Sequence, residues 1–468
     1  VSNSTQLTAT VPAANLTTLG WAAISISNPA PGGGISSSTP LSIYNVITLG
    51  VNHILYDPFT RKLYASVGSG SSTITGNSIA AITPETGAIG TPVSIGSQPT
   101  KMALSDDGQM LYTILAGSSS IARFNMLTQQ ADFSYTPATS TYNASTGGFR
   151  DIAVLAGSED TVALDLGYTS GLALYDFNPT YKTAALRGAV TGLYSGTSLQ
   201  FLNPSTLLVF NSDTWGTLDN YPITSSGFQY YNTSQHTSST LLHFGSFKLS
   251  GGLAFADYGG VANPLTSPAT QIGYYPPLNT NAYNQVVAPD TALSRVFFLG
   301  GTNTSTNYYS NLDGIIAYNQ STFLPASVVS LNMAATEGAN TSYTGVDLVR
   351  WGQDGLAALT SGGHIYIMRG PVVVPQLLNQ NSAATLSAAA PANIAHGTGN
   401  TMLTITGSGF IQGAAVTWNG SYRTTTWVDS SHLTVAIPAS DLVSAGSATL
   451  VVTNPGASAS GSITFTIN

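Results

Sequence analysis

The sequence predicts an all-β protein built from repeated modules. Stretches with the 3.6-residue periodicity of an amphipathic helix are nearly absent, whereas short alternating runs bounded by Gly, Asn, Asp and Pro follow one another along the chain. Two internal repeats, one between the termini and one in the middle, divide the 468 residues into modules. A chain of this length is expected to contain two or three domains.

The first repeat relates the two ends of the chain. The matching pairs are residues 4–13 (STQLTATVPA) with 430–439 (SSHLTVAIPA), 22–29 (AAISISNP) with 448–455 (ATLVVTNP), and 41–43 with 465–467. One type of domain is therefore predicted to occur twice.

The copy at the end of the chain is preceded by two further strand-like runs, LTITGSGF at 403–410 and GAAVTWNG at 413–420. Phe410 and Trp418 are expected to fill a core, and Asn419-Gly420 is a hairpin turn signal. This pattern, together with the late Asn-Pro turn, resembles the IPT/TIG family of immunoglobulin-like domains over residues 384–468. The resemblance implies a small two-sheet sandwich with no catalytic residues.

The copy at the start of the chain, residues 1–45, lacks everything that corresponds to residues 403–427. It is the C-terminal half of a sandwich, and half a sandwich leaves one inner face uncovered. Because ordering about 40 residues costs on the order of 1–2 kcal/mol each, this piece is not expected to fold alone. Three explanations stay open: residues upstream complete it, it packs on the neighbouring domain, or another subunit adds the missing strands.

The second repeat occupies residues 46–374, which a linker (375–383) joins to the C-terminal sandwich. Each unit begins with a strand, an Asp-containing turn and a second strand, as in ILYDP followed by KLYASV at 54–67. Seven such starts recur at a spacing of about 45–50 residues, which is the signature of a seven-bladed β-propeller. The last unit is short, so residues 41–49 or 372–374 are expected to supply its final strand and close the ring.

The repeated units, and above all SDDGQMLY at 105–112, resemble the YVTN family of β-propellers, which is similar in turn to lactonase-like and WD40-type propellers. The order of half-sandwich, propeller and sandwich resembles large secreted proteins of Acidobacteria. The resemblance implies a location more than it implies a mechanism.

Composition excludes two classes of partner. Twelve basic and 20 acidic residues give a net charge of −8 without a basic cluster, so no nucleic acid is expected to bind. No apolar run reaches about 18 residues, so no membrane span is expected. Charged residues make up only 7% of the chain, and this low charge, with the high Ser, Thr, Asn and Gly content and the β-richness, favours an extracellular or cell-surface location. The absence of cysteine excludes disulfides and thiolate metal sites.

Catalytic motifs are missing from the sequence. There is no Gly-x-Ser-x-Gly elbow and no phosphate-binding loop, and the six histidines have no metal-ligand spacing. We therefore assign no catalytic residue, no metal ligand and no cofactor.

Charged residues at the start of two inner strands are the candidates for a site at the channel mouth: Asp151 with Arg150, and Asp347 with Arg350. These residues either present paired charges to a ligand or form structural ion pairs. Four other aspartates, Asp57, Asp106, Asp107 and Asp290, are predicted to be turn residues that cap neighbouring amides.

Paired tyrosines in polar loops are the candidates for binding. They are Tyr230 and Tyr231, Tyr274 and Tyr275, and Tyr308 and Tyr309. Exposed tyrosines suit stacking on sugars or contact with another protein, and the alternative is that each loop packs on its own blade.

The favoured function is a non-enzymatic extracellular scaffold or adhesion protein, a subunit of a larger assembly or filament. Its partners would be further copies, other surface proteins or glycans. The alternatives are a lactonase-like or glycan-acting propeller hydrolase, which would use a divalent cation such as Ca²⁺ in the channel, and a carbohydrate-binding protein.

Overall fold

The computed structural model confirms an all-β protein. It describes residues 6–29, 33–138, 148–167, 170–191, 198–211, 217–229, 246–266, 269–278, 286–301, 312–338, 343–374, 383–454, 457 and 459–468. In these ranges, one short α-helix, Met333–Glu337, and three 3₁₀ turns accompany the strands. The turns are Ala13–Leu16, Thr291–Leu293 and Ala439–Asp441.

Seven antiparallel sheets within the described residues form the blades of a closed propeller. Each blade begins with its inner strand, and neighbouring inner strands contact one another around the whole ring, including the last with the first. The inner strands are Val51–Asp57, Pro99–Leu104, Ile152–Val154, Ser198–Asn203, Phe247–Ser250, Val286–Asp290 and Gly345–Trp351.

The other strands of blades one to four follow their inner strands outward. They are Lys62–Val67, Ser78–Thr83, Ala88–Ile89 and Val93–Ser94; Met110–Leu115, Ser120–Asn125 and Gln130–Tyr135; Thr161–Asp165, Leu172–Asn178 and Thr183–Val190; and Thr206–Asn211, Thr217–Thr224 and Gly227–Phe228. Blades five to seven continue in the same manner. Their strands are Leu253–Ala256, Gly260–Asn263 and Thr270–Tyr274; Arg295–Gly300, Gly314–Asn319 and Pro325–Ser330; and Gly355–Thr360 and His364–Arg369.

A strand from the start of the chain completes the seventh blade. Asn45–Thr48 pairs antiparallel with His364–Arg369, so the first of the two predicted closures is confirmed. The ring is thereby closed by hydrogen bonds between its two ends.

Apolar packing fills the space between blades. Seven buried clusters each combine residues of two adjacent blades, for example Tyr64 of blade one with Leu111 of blade two, and Leu63 of blade one with Leu359 of blade seven. Because each blade has one cluster on either side, the hydrophobic effect favours the complete ring.

The C-terminal sandwich has two sheets over one core. One sheet contains Thr385–Ala390, Thr401–Ser408, His432–Ile437 and Thr425–Asp429; the other contains Asn393–Ile394, Ile463–Ile467, Gly446–Thr453, Ala415–Trp418 and Ser421–Arg423. Phe410 and Trp418 lie in that core, as predicted. The N-terminal segment forms a two-stranded sheet, Gly20–Ile24 with Thr39–Ile43, whose strands contact blade seven.

Candidate functional site

Ionisable side chains collect in the channel along the propeller axis. The channel holds a cavity of about 340 Å³ whose walls are the inner strands. Charged residues make up only 7% of the chain, yet the cavity is lined by His53, Lys101, Asp106, Asp151, Lys248, Asp257 and Asp347. Asp151 and Asp347, two of the predicted channel residues, are among them.

Polar side chains of one blade hydrogen-bond to the backbone of the next around this cavity. The bonds are His53 Nδ1 with Met102 N (3.3 Å), Asp151 Oδ2 with Leu199 N (2.8 Å), Gln200 Oε1 with Leu249 N (2.8 Å) and Asp257 Oδ1 with Val287 N (3.1 Å). Each bond satisfies a backbone donor that would otherwise be costly to bury. These polar groups therefore hold neighbouring blades together.

One cluster crosses the channel. Lys248 Nζ of blade five donates to Asp347 Oδ1 of blade seven at 2.6 Å, and His53 Nε2 of blade one lies 3.3 Å from Asp347 Oδ2. Burial favours the neutral form of Asp347, but Lys248, His53 and Lys101 outweigh burial and lower the pKa of Asp347 below its ordinary value. Asp347 is therefore an ionised carboxylate that binds two other blades.

Three other channel residues, His53, Asp257 and Asp151, have shifted pKa values. Burial, assisted by Lys101, lowers the pKa of His53 to about 3 although Asp347 opposes this shift, so the ring is neutral and donates from Nε2. Burial raises the pKa of Asp257 to about 6 against the hydrogen bonds from Ser246, and burial also raises the pKa of Asp151.

We expect His53 to make the protein less stable in acid. Between pH 7 and pH 5 the unfolded chain protonates His53 and the folded protein does not, which removes about 2 kcal/mol of unfolding free energy. In His53→Gln, whose amide can keep both hydrogen bonds, urea unfolding at pH 5, 6 and 7 should show a shallower loss by that amount. Equal slopes in the variant and the wild type would contradict this.

Asp257→Asn is a matched control, because it should change the pH dependence of the unfolding free energy in the opposite direction. The folded pKa of Asp257 lies above the unfolded value, so Asp257 adds about 1 kcal/mol of stability as the pH falls from 7 to 5. Asp257→Asn should therefore steepen the loss of stability in acid, where His53→Gln makes it shallower.

One of the two arginines, Arg350, does not join its predicted partner. Arg350 Nε donates to Asp290 Oδ2 at 2.9 Å, so the predicted pairing of Arg350 with Asp347 is wrong. Positions 347 and 350 point to opposite faces of one strand, because side chains alternate along it. Arg150 is likewise not among the described residues that line the cavity, and its backbone N–H donates to the Asp165 carbonyl.

One of the three tyrosine pairs lies within the described residues, and only one of its two side chains is exposed. Tyr274 is 43% exposed, but Tyr275 is fully buried beside Phe255 and Phe298, so its predicted exposure is wrong. The alternation of strand residues again explains why two neighbouring positions differ. The other four candidates lie outside the described residues: Tyr230, Tyr231, Tyr308 and Tyr309.

Three of the four turn aspartates cap nearby amides as predicted. Asp57, Asp107 and Asp290 accept from backbone N–H groups two or three residues ahead. The fourth, Asp106, instead accepts from Gly157 N of the next blade at 2.8 Å. Across the described ranges, no three His, Asp or Glu side chains are placed to hold a metal ion.

The N-terminal segment reproduces the second half of the sandwich in its register. Gly20 pairs with Ile43 as Gly446 pairs with Ile467. An isolated bridge then joins Ser27 to Ile35, and its counterpart joins Thr453 to Ala459. The hairpin and the 3₁₀ turn of the predicted half-sandwich are thus present, whereas residues 7–11, which correspond to part of the strand His432–Ile437, form no strand.

The two copies differ in how their inner faces are covered. Five apolar residues of the N-terminal segment are 40–50% exposed, whereas their counterparts in the sandwich are fully buried. These pairs are Leu7 and Leu433, Val11 and Ile437, Leu16 and Leu442, Ile24 and Leu450, and Ile26 and Val452. The repeat between the termini identifies this segment in the sequence, and the structure shows which of its apolar side chains are exposed to solvent.

One of these domains, the C-terminal sandwich, matches a known family of domains. The IPT/TIG domain model matches residues 385–467, so the predicted identity of the C-terminal sandwich is confirmed. No curated protein matches the chain. No helix in the described ranges is long and apolar enough to cross a membrane.

Solved structures similar to the chain include propellers. The β-propeller domain of Myceliophteria thermophila Cps50 (Swd1) is 11% identical with a TM-score of 0.49, over 69% of this chain and 97% of that one. Kuenenia stuttgartiensis hydrazine synthase is 12% identical with a TM-score of 0.48, over 69% and 97%. BamB from Moraxella catarrhalis is 12% identical with a TM-score of 0.41, over 69% and 98%.

Proposed function

We propose that this protein is a non-enzymatic scaffold that acts outside the cell as a subunit of a larger assembly. The observation that carries the proposal is the N-terminal half-sandwich, which exposes a face that the complete sandwich buries. Exposed apolar patches of this kind mark contact surfaces. The low charge and the resemblance to YVTN propellers of secreted acidobacterial proteins support the location.

The occupant of this face is a second copy of the chain. Two half-sandwiches that pack face to face would place two sheets against each other, as in a complete sandwich. Such an isologous contact is the commonest arrangement among soluble oligomers. Because these side chains are 40–50% exposed, covering each Leu or Ile would contribute about 1 kcal/mol, roughly half of the value for burying a fully exposed side chain.

The channel supports a structural role. Most of its polar groups bond to neighbouring blades or to one another, and three of the four turn aspartates cap their own loops. Groups held in this way stabilise the ring that presents the loops and sandwich domains to partners.

The test is the assembly state. Sedimentation velocity over a hundredfold range of concentration should show a reversible dimer, and Ile24→Asp should weaken association at least tenfold, which is about 1.4 kcal/mol. Val328→Asp is the matched control, because Val328 is 45% exposed on the outer strand of blade six. A monomer at every concentration, or equal association of the two variants, would refute the contact between copies.

A further inference from the structure

A cleft of about 460 Å³ separates the propeller from the C-terminal sandwich. The ends of blades one and seven form one wall, with Tyr56 and Trp351, and the sandwich forms the other, with Tyr422. Binding sites for small molecules have volumes of about 300–1,000 Å³ and occur preferentially between domains. The cleft therefore has the size and the place of a ligand site.

Hydrogen bonds join the two walls. Thr424 Oγ1 donates to the Pro58 carbonyl at 2.9 Å and lies 3.1 Å from Tyr56 Oη, and Arg61 Nη1 donates to the Tyr422 carbonyl at 2.5 Å. None of the apolar clusters in the described ranges includes residues of both domains. The walls of the cleft are thus held by polar contacts, and a ligand can add to them.

Arg61 and Glu85 both line the cleft and carry opposite charges. Neither has an ion-pair partner among the described residues. The other cations are neutralised: Arg369 Nη2 lies 2.9 Å from Asp354 Oδ1, and Arg423 donates to Asp441. The cleft is therefore balanced in charge, yet Arg61 lacks a carboxylate partner and Glu85 lacks a cationic partner among the described residues.

Hydrogen-bond donors without acceptors lie in the same wall. Trp351 Nε1 and Gln353 Nε2 are buried and have no partner within the part of the chain that the structure describes. Across from them Tyr422 is 55% exposed on the short edge strand Ser421–Arg423. An exposed aromatic ring offers a stacking surface to a ligand in the cleft.

We propose that this cleft binds a short neutral saccharide. Sugar hydroxyls both donate and accept, so they match the Glu85 carboxylate as well as the Arg61 guanidinium. The apolar face of a sugar ring stacks on Tyr422. An anion or a cation would fit less well, because each would meet one repelling group in a site of balanced charge.

The test is isothermal titration with three neutral trisaccharides: α-1,4-linked glucose, β-1,4-linked glucose and β-1,4-linked N-acetylglucosamine. At least one should bind with a dissociation constant of about 1 mM or lower. Tyr422→Ala and Glu85→Gln should each weaken that binding at least tenfold. The control is Tyr181→Ala, which removes a tyrosine that is 76% exposed on blade three and should leave binding unchanged.

Three binding results bear on whether the cleft is a saccharide site. No saturable binding of the three probes up to about 10 mM, or binding that survives Tyr422→Ala, would overturn it. Binding of the zwitterionic dipeptide glycylglycine in place of the saccharides would assign the cleft to a different ligand. Ile24→Asp should bind the saccharide as the wild type does, so this inference and the proposed assembly can fail separately.

Discussion

Asp347→Ala should lower the free energy of unfolding by about 3–5 kcal/mol. The residue is 5% exposed, and it accepts from Lys248 of blade five while contacting His53 of blade one. Removal of the carboxylate leaves the Lys248 ammonium in the channel with the Leu348 carbonyl as its remaining hydrogen-bond partner among the described residues. Equilibrium unfolding in urea, followed by tryptophan fluorescence and circular dichroism together, measures the change.

Two comparisons isolate the buried charge as the cause. Asp176→Ala removes a partly exposed partner of Arg187 and should cost at most about 1 kcal/mol. Adding Lys248→Met to Asp347→Ala should recover part of the loss, because no unpaired ammonium then remains. If Asp347→Ala and Asp176→Ala have equal effects, the channel cluster does not stabilise the ring in the way described.

The repeat period made the propeller predictable from sequence. Each blade is one supersecondary unit, and its Asp-containing turn recurs at a fixed place, as in Asp57 and Asp107. The strand that closes the ring was predicted for a physical reason, because blade seven otherwise lacks an outer strand. The sandwich was predicted from Phe410 and Trp418, which do lie in its core.

The sequence does not predict which residues come together in the channel cluster. Lys248 and Asp347 are 99 residues apart in the chain and belong to blades five and seven, so only the closed ring brings them together. One signal was present in the sequence: a polar residue interrupts several apolar inner strands near their starts. These interruptions are His53, Lys101, Gln200, Lys248 and Asp347, and each of them lines the cavity.

The cleft was not predictable either, for a different reason. Its walls come from the ends of inner strands and from a sandwich edge about 360 residues later, as the bond between Arg61 and Tyr422 shows. Alone, Tyr422 looks like an ordinary surface residue of a short strand. Only the docking of one domain on the other turns it into one side of a binding site.

Removal of residues 1–49 should open the propeller, whereas removal of residues 1–43 should not. The longer deletion takes away the strand Asn45–Thr48 and the buried Leu49, at a cost of about 1 kcal/mol for each hydrogen bond and about 2 kcal/mol for the leucine. The shorter deletion removes Leu19 from the cluster between blades seven and one, which costs about 2 kcal/mol. Thermal unfolding of both proteins measures the difference.

The longer deletion also creates an exposed edge. Ile365, Tyr366 and Ile367 are fully buried in the complete blade, and without their neighbour they belong to an unpaired outer strand of the kind that aggregates. A synthetic peptide of residues 44–49 should pair with this edge and raise the unfolding midpoint of the longer deletion, since binding to the folded form alone stabilises it. A scrambled peptide should have no effect. Equal midpoints of the two deletions, or equal rescue by both peptides, would show that the ring does not depend on its N-terminal strand.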